Sequence, residues 1–240
     1  MKTFYVDNVN SNLITLMGDE HNHLKNVMRL QVGDKVKVVC GNEYNYFCEI
    51  AEINKNNSVL KVTEKTLNTA NPKVNLTCYM ALIKNDNLSL VVQKLTELGC
   101  STFVPFESRY TVNKDKGSKS DKLAVISQQS LKQCGRSIPM QVLPTQKLTS
   151  LTKMLSEHDL IIFANETEKS LSLSDTLNAN SNAKNIAIIV GCEGGFEQSE
   201  IDYLVGLGAK SVSLGSRILR AETASIMLGA IVLNHFKEYE

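Results

Sequence analysis

Three glycines fall within five residues at Gly191-Cys192-Glu193-Gly194-Gly195, and Phe196 closes the segment. Glycine lets a backbone take up angles closed to other residues and approach a ligand closely. Exposed amides and carbonyls here are suited to holding a base or an amino-acid group. No Gly-Lys-Ser/Thr follows and the spacing is not GxGxxG, which disfavours a nucleotide-phosphate site; a tight turn without a ligand is the plain alternative. Some twenty residues on comes Leu214-Gly215-Ser216-Arg217-Ile218-Leu219-Arg220-Ala221-Glu222-Thr223-Ala224. Arg217, Arg220, Glu222 and Thr223 lie within seven residues. Ile218-Leu219 is suited to wall a flat heterocycle while backbone groups read its edge. Glu222 is placed to pair with an arginine or cap a helix, and Thr223 to cap as well. An amphipathic helix start with a surface ion pair is the alternative.

Each segment follows a short apolar run, Ile186 to Val190 and Ser211 to Leu214, that reads as a buried strand leading towards a helix. In open α/β sheets ligands sit just past the carboxyl ends of strands, so the two loops are expected to build one pocket. The alternation begins after Thr66 to Pro72, the best linker candidate. Strands are expected at Val74 to Leu82, Phe103 to Pro105, Leu160 to Phe163, Ile186 to Val190 and Val212 to Leu214. Helices are expected at Asn87 to Leu98, Ser120 to Gln133, Ser199 to Leu207 and Ala221 to Lys237, with Gly99 as a C-cap. This pattern predicts an α/β fold with a mostly parallel sheet. Residues 1 to about 70 read differently. Short strands at Phe4 to Val6, Leu13 to Leu16, Lys35 to Val39, Tyr46 to Ile53 and Ser58 to Val62, with a helix from Glu20 to Met28, suggest a small β-barrel. That helix is expected to carry Leu24, Val27 and Met28 on one side.

A chain of 240 residues with 42% hydrophobic and 21% charged side chains is ordinary for a globular protein. No apolar run reaches membrane-spanning length and the N-terminus lacks the features of a signal peptide, so the cytosol is the expected address. The six cysteines form no CxxC pair, which argues against zinc and for small core residues. His21 and His23 have no partners at ligand spacing, and no metal is expected. Net charge is +1, but its distribution is uneven. Basic residues exceed acidic ones by six from Lys84 to Lys153, and the excess reverses to six acidic from Met154 onward. A one-sided positive surface for nucleic acid and a merely solvated helix face both fit.

The two loops resemble the GPEGGF and LGxRILRxETA signatures of the RsmE-type 16S rRNA uridine N3-methyltransferases of the SPOUT superfamily. His23-Leu24-Lys25-Asn26-Val27-Met28-Arg29 through Gly33-Asp34 resembles that family's HLxxVLRxxxGD. Lys94 to Gly99 is similar to its KxTELG, Pro105 to Arg109 to its P-x-x-x-R, and Gln133-Cys134-Gly135-Arg136 to its QCGR. The likeness spans nearly the whole chain in order. Cys192 departs from it, standing where the family has proline, a residue that would stiffen the turn.

The resemblance implies a PUA-like RNA-binding β-barrel over residues 1–70 and a SPOUT α/β methyltransferase domain with a trefoil knot over 71–240. It implies S-adenosylmethionine held by Gly191, Glu193, Gly194, Gly195, Leu214, Gly215, Ile218, Leu219 and Thr223. It also implies a homodimer acting on one uridine of 16S rRNA in the small ribosomal subunit. Arg220 and Arg136 are the candidates for orienting the base or its phosphate, since positive charge helps the N3 proton to leave. Glu97 is a candidate general base, although a buried ion pair with Lys94 is favoured over that role. Arg29, Lys25, Lys94 and Arg109 are candidate RNA contacts. The small residues Ala221, Ala224, Ser225, Gly229 and Ala230 suit close packing of the last helix, on its own sheet or, as the resemblance favours, at a dimer interface. A tRNA ribose 2′-O-methyltransferase of the same fold and a non-catalytic RNA-binding assembly factor are the rival readings.

Overall fold

A computed structural model describes residues 1–115 and 117–240. The chain folds into two compact units. One comprises Met1–Asn71 with Gln128–Pro139, the other Pro72–Ser127 with Met140–Glu240.

The first unit is built on β1 (Lys2–Tyr5), β2 (Leu13–Met17), β3 (Lys35–Val39), β4 (Tyr44–Ile53) and β5 (Asn57–Leu67), with the one-turn helix α1 (Gly18–Asn22) after β2. The strands form one mixed sheet in the order β1-β3-β4-β5-β2, in which only the β1/β3 pair is parallel. Alternation decides which face is buried. Val36 and Val38 are fully buried, and they close on Phe4, Leu16, Ile50 and Leu60. The helix expected from Glu20 to Met28 is not regular. After α1 the chain widens into a π-helical turn, His23–Val27, in which the Met28 amide donates to the His23 carbonyl. A wider turn rotates later side chains away from the face that a 3.6-residue period predicts. Leu24 stays buried, but Val27 is 59% exposed.

The expected linker is also more structured than its composition suggests. β5 runs to Leu67, and the Asn68 amide donates to the Gly135 carbonyl at 2.9 Å. Asn71 Oδ1 accepts from the amides of Ser137 and Ile138, each at 3.0 Å. Turn-type asparagines thus act as clamps that tie the returning segment 128–139 into this unit.

In the second unit strands and helices alternate. They are β6 (Asn75–Ala81), α2 (Asn85–Leu98), β7 (Thr102–Glu107), α3 (Lys119–Cys134, counted here up to Ser127), β8 (Gln141–Val142), β9 (Gln146–Lys147), α4 (Thr152–Leu155), β10 (Leu160–Ala164), α5 (Leu173–Ala179), β11 (Asn185–Val190), α6 (Gln198–Gly206), β12 (Lys210–Val212) and α7 (Ala221–His235). The sheet order is β12-β10-β11-β6-β7-β8, with β9 also on β7, and every pairing is parallel. Parallel central strands are buried on both faces and so read as unbroken apolar runs. Ile186 to Ile189 show this, at 0% exposure each.

Gly99 caps α2 in the left-handed conformation at φ 109°. α5 was not expected, although Ser172 caps it by accepting from the Asp175 amide. The small face of α7 is spent within the unit. A Cβ on Gly229 would come within 2.7 Å of Leu95 Cδ2 on α2, and Ala221, Ala224 and Ser225 are buried.

The chain leaves β6 in one direction, towards β7 and β8, and returns on the other side of β6 through β10 and β11. Such a reversal opens a crevice at the carboxyl ends of the strands.

Candidate functional site

That crevice is a cavity of about 860 Å³ in the second unit. Five strand ends feed it. Lys84 and Asn87 come after β6, Val112 and Asn113 after β7, and Asn165 and Glu166 after β10. Gly191, Cys192, Glu193 and Gly195 follow β11, and Ser213 to Glu222 follow β12. The two loops singled out in the sequence do share one cavity.

The glycine turn is closed by contacts. The Gly195 amide donates to the Cys192 carbonyl at 2.9 Å, with Gly195 at φ +68°. A Cβ on Gly191 would meet the Gly195 carbonyl oxygen at 3.1 Å, and one on Gly194 would meet Tyr110 Cβ at 2.9 Å. A Cβ on Gly195 would meet only Glu166, at 3.8 Å. Glycine is therefore required there by backbone angle rather than by space. Cys192 is buried, and the Ser108 hydroxyl donates to its sulfur at 3.7 Å. The thiol thus packs the turn from inside, where a proline would have stiffened it through its ring. Phe196 meets Phe163 edge-on with ring centroids 6.0 Å apart.

The loop after β12 is more open. Gly215 sits at φ +106° with nothing within 4 Å of a would-be Cβ. Leu219 is half-buried against the core, whereas Ile218 is 82% exposed. Only Leu219 of that pair therefore forms a packed apolar wall. Arg220 stands at the N-cap of α7, is exposed, and joins no ion pair among the described residues. The sequence offers Glu222 as a cap or an arginine partner; among the described residues it is neither. It is buried in the first turn of α7, and its Oε1 accepts from Asn87 Nδ2 at 3.1 Å. Thr223 and Gly194 are exposed and do not line the cavity.

The loop after β10 is fastened by Glu168. One carboxylate oxygen accepts from the Ser170 hydroxyl and from the amides of Ser170 and Leu171. The Ser170 hydroxyl bond leads the bonds that pull the Glu168 carboxyl down to about 2.

The other sequence candidates lie outside the cavity. Lys94 and Glu97 on α2 pair with each other at 2.9 Å, partly exposed rather than buried. Arg109 is exposed, and its backbone amide donates to Glu200 at 2.8 Å. Arg136, Arg29 and Lys25 belong to the first unit. Arg136 is only 2% exposed, and its Nε donates to the Ile138 carbonyl at 3.1 Å. Arg29 is exposed in the left-handed region at φ 53°, and Lys25 Nζ donates to the Asn54 carbonyl at 2.9 Å. Sequence reasoning missed Lys84, Asn87, Asn165 and Glu166. Their signal was present as a polar residue straight after an apolar strand, at Ile83-Lys84 and Ala164-Asn165.

The chain matches the model of the RNA methyltransferase domain over residues 69–233 and that of the RNA methyltransferase PUA domain over residues 16–63. It is 32% identical over 215 residues to the ribosomal RNA small subunit methyltransferase E of Rickettsia conorii, covering 89% of this chain and 86% of that one. Against the Bacillus subtilis protein of the same name it is 28% identical over 222 residues, covering 88% and 86%. Among solved structures it is similar to the Neisseria gonorrhoeae ribosomal RNA small subunit methyltransferase E bound to S-adenosyl methionine. The TM-score is 0.90 at 21% identity, over 100% of both chains. At that identity the likeness is one of fold.

Proposed function

Since the chain belongs to the RNA methyltransferase family, among the ribosomal RNA small subunit methyltransferases E, we propose that it methylates ring N3 of a uridine in 16S rRNA with S-adenosylmethionine as donor. The observation that carries this reading is the single cavity built from the glycine turn and the loop after β12. Its size is that of a cofactor pocket, and its lining mixes apolar side chains with many polar and charged ones. The glycine turn leaves no room for a Cβ at Gly191, where the chain lines the cavity. Backbone groups of Gly191, Glu193, Gly195, Leu214 and Gly215 hold the polar edges of the cofactor, and Val190, Leu219 and Ala224 line the apolar part. Gly194 and Thr223 support these loops from outside, and Ile218 reaches past the rim.

When bound, the cofactor supplies a methyl group that is already activated. The protein then has to hold donor and acceptor in line and favour loss of the N3 proton. Arg220, exposed at the rim and free of carboxylate partners among the described residues, faces the acceptor side and stabilises the developing uracil anion. Arg136 supports its own segment. Glu97 is engaged by Lys94, so the proton acceptor is to be sought elsewhere.

Residues 1–70 act in this reading as the PUA-like RNA-binding domain, with Arg29, Lys25 and the basic middle of the chain, including Lys94 and Arg109, near phosphates. Residues 71–240 act as the SPOUT domain, its C-terminal loops threaded as a trefoil knot. The exposed stripe of α7 around Thr223 and Ile231, the latter 39% exposed, supports a homodimer better than the helix's small face does. No helix among the described residues is long and apolar enough to cross a membrane.

The test is nucleoside analysis of small-subunit rRNA from cells with and without the gene, followed by treatment of the unmodified subunit with purified protein and S-adenosylmethionine. Appearance of 3-methyluridine is expected. An unchanged nucleoside profile in both arms overturns the reading.

A further inference from the structure

Glu222 is the one acidic side chain among the described residues that is buried, at 9% exposure. It also lines the cavity. Burying a carboxylate costs several kcal/mol, on the order of that for other ions, unless a cation and hydrogen bonds compensate. Glu222 joins no ion pair among the described residues. The ion pairs among the described residues are Lys94–Glu97, Lys132–Glu20 and Lys237–Glu240. One hydrogen bond, from Asn87 Nδ2, reaches Oε1. The remaining support is the first turn of α7, whose unpaired amides favour a negative charge. The other carboxylates of the cavity, Glu166 and Glu193, are exposed and need no such support.

A buried carboxyl group held by one neutral donor is a poor device for stability. In a methyl-transfer cavity it is a suitable proton acceptor. Resting on the uridine-methylation reading, we propose that Glu222 is the general base of the reaction and that Asn87 is its positioning residue. The proton leaves uracil N3 for Glu222 Oε2. The electron pair left on N3 forms the N–CH3 bond while the S–CH3 bond breaks, and the pair from that bond stays on sulfur, turning the sulfonium into a thioether. Glu222 then returns its proton to water. Asn87, half-buried at the start of α2, binds Oε1 and so leaves Oε2 for the acceptor. Arg220, two residues earlier, carries the complementary charge towards the ring oxygens. Base and cation thus come from one helix start, which fixes their spacing.

The experiment compares wild-type protein, Glu222→Gln and Asn87→Ala in single-turnover methylation of unmodified small subunits between pH 6 and 9, with cofactor affinity measured by calorimetry. Glu222→Gln is expected to bind cofactor within about threefold of wild type and to lose about 100-fold or more in rate, the usual worth of a general base. Its residual rate should climb about tenfold per pH unit, because N3 must then ionise unaided, whereas the wild type shows a shallower dependence. Asn87→Ala should lose about tenfold in rate while keeping the wild-type pH profile, since its role is indirect. If Glu222→Gln does not fold, Glu222→Asp replaces it, with a reduced rate and the wild-type pH profile expected. Wild-type protein that forms 3-methyluridine beside a Glu222 variant of unaltered rate and pH profile overturns the base assignment alone. A rate loss fully restored by saturating cofactor does the same. Wild-type protein that forms none overturns the functional reading and this inference with it.

Discussion

The two loops that wall the cavity differ in how tightly their glycines are enclosed, although Gly195 in the first and Gly215 in the second both answer to backbone angle. In the turn after β11, Gly191 and Gly194 have no room for a Cβ, because backbone and Tyr110 stand within 3.1 Å of where it would lie. In the loop after β12, Gly215 has open space around it and is glycine because of its φ of +106°. The first loop is closed by its own contacts. The second is held mainly by its two ends, Ser213 bridging to Ser172 and Leu219 packing on the core, with Gly215 to Ile218 exposed between them. A cavity with one rigid wall and one open wall can keep its cofactor geometry while admitting a large substrate from the open side.

The sharpest way to break this comparison is to put the same methyl group on both walls. Gly191→Ala is expected to lower stability by about 1–3 kcal/mol, as overpacking does, and to weaken S-adenosylmethionine binding by about 100-fold or more. Gly215→Ala should cost only the backbone strain, about 1–2 kcal/mol, with affinity reduced by less than about tenfold. Calorimetry and thermal unfolding on the two variants decide it; equal losses would mean that the two walls are equally preorganised.

Next in size is Arg220→Ala on the open wall. Turnover should fall about 100-fold with cofactor affinity unchanged, as for a contact made only in the transition state. Arg220→Lys should recover little, because a planar fork and a point charge are not equivalent beside a uracil ring. Melting temperature should stay the same, since Arg220 has no carboxylate partner among the described residues. A loss of stability matching the loss of rate would return Arg220 to a structural role.

The smallest effect concerns the third loop of the cavity, after β10. Hydrogen bonds from Ser170 and Leu171 hold the Glu168 carboxyl at about 2, below its ordinary 4.5. A depressed carboxyl stabilises the fold above its unfolded value and loses that contribution as pH falls towards the folded one. The stability gap between wild type and Glu168→Gln should therefore be full above pH 4.5 and close between there and about pH 2. Denaturant unfolding at pH 7, 4 and 3 measures it, and a gap independent of pH would mean that Glu168 acts through shape alone.

Much of this architecture was legible from local pattern. The strand–helix alternation after residue 72 places β6, α2, β7, β10, β11, α6 and α7 within a few residues of their observed ends. The apolar runs of a parallel sheet and a glycine C-cap at Gly99 are local signals. The sites that failed share a different cause. Val27 turned outward because a π-turn altered the helical period, and nothing in the apolar spacing signals such a turn. Asn68 and Asn71 read as a linker because asparagine favours turns. Their side chains instead bind a segment about 66 residues away in sequence. Arg136 matched a motif, and only the packing around it shows a buried guanidinium.

By itself, the sequence determined the class of fold, the two loops and their family likeness, because periodicity, glycine spacing and motif order are carried by neighbouring residues. Tertiary structure alone decided which residues the cavity joins. Asn87 and Glu222 stand 135 positions apart in sequence and 3.1 Å apart in space. That meeting depends on the reversal of strand order around β6, which brings the start of α2 and the start of α7 to the same end of one sheet. No local signal encodes it, since it arises from the packing of helices against parallel strands whose order is settled only when the whole sheet forms.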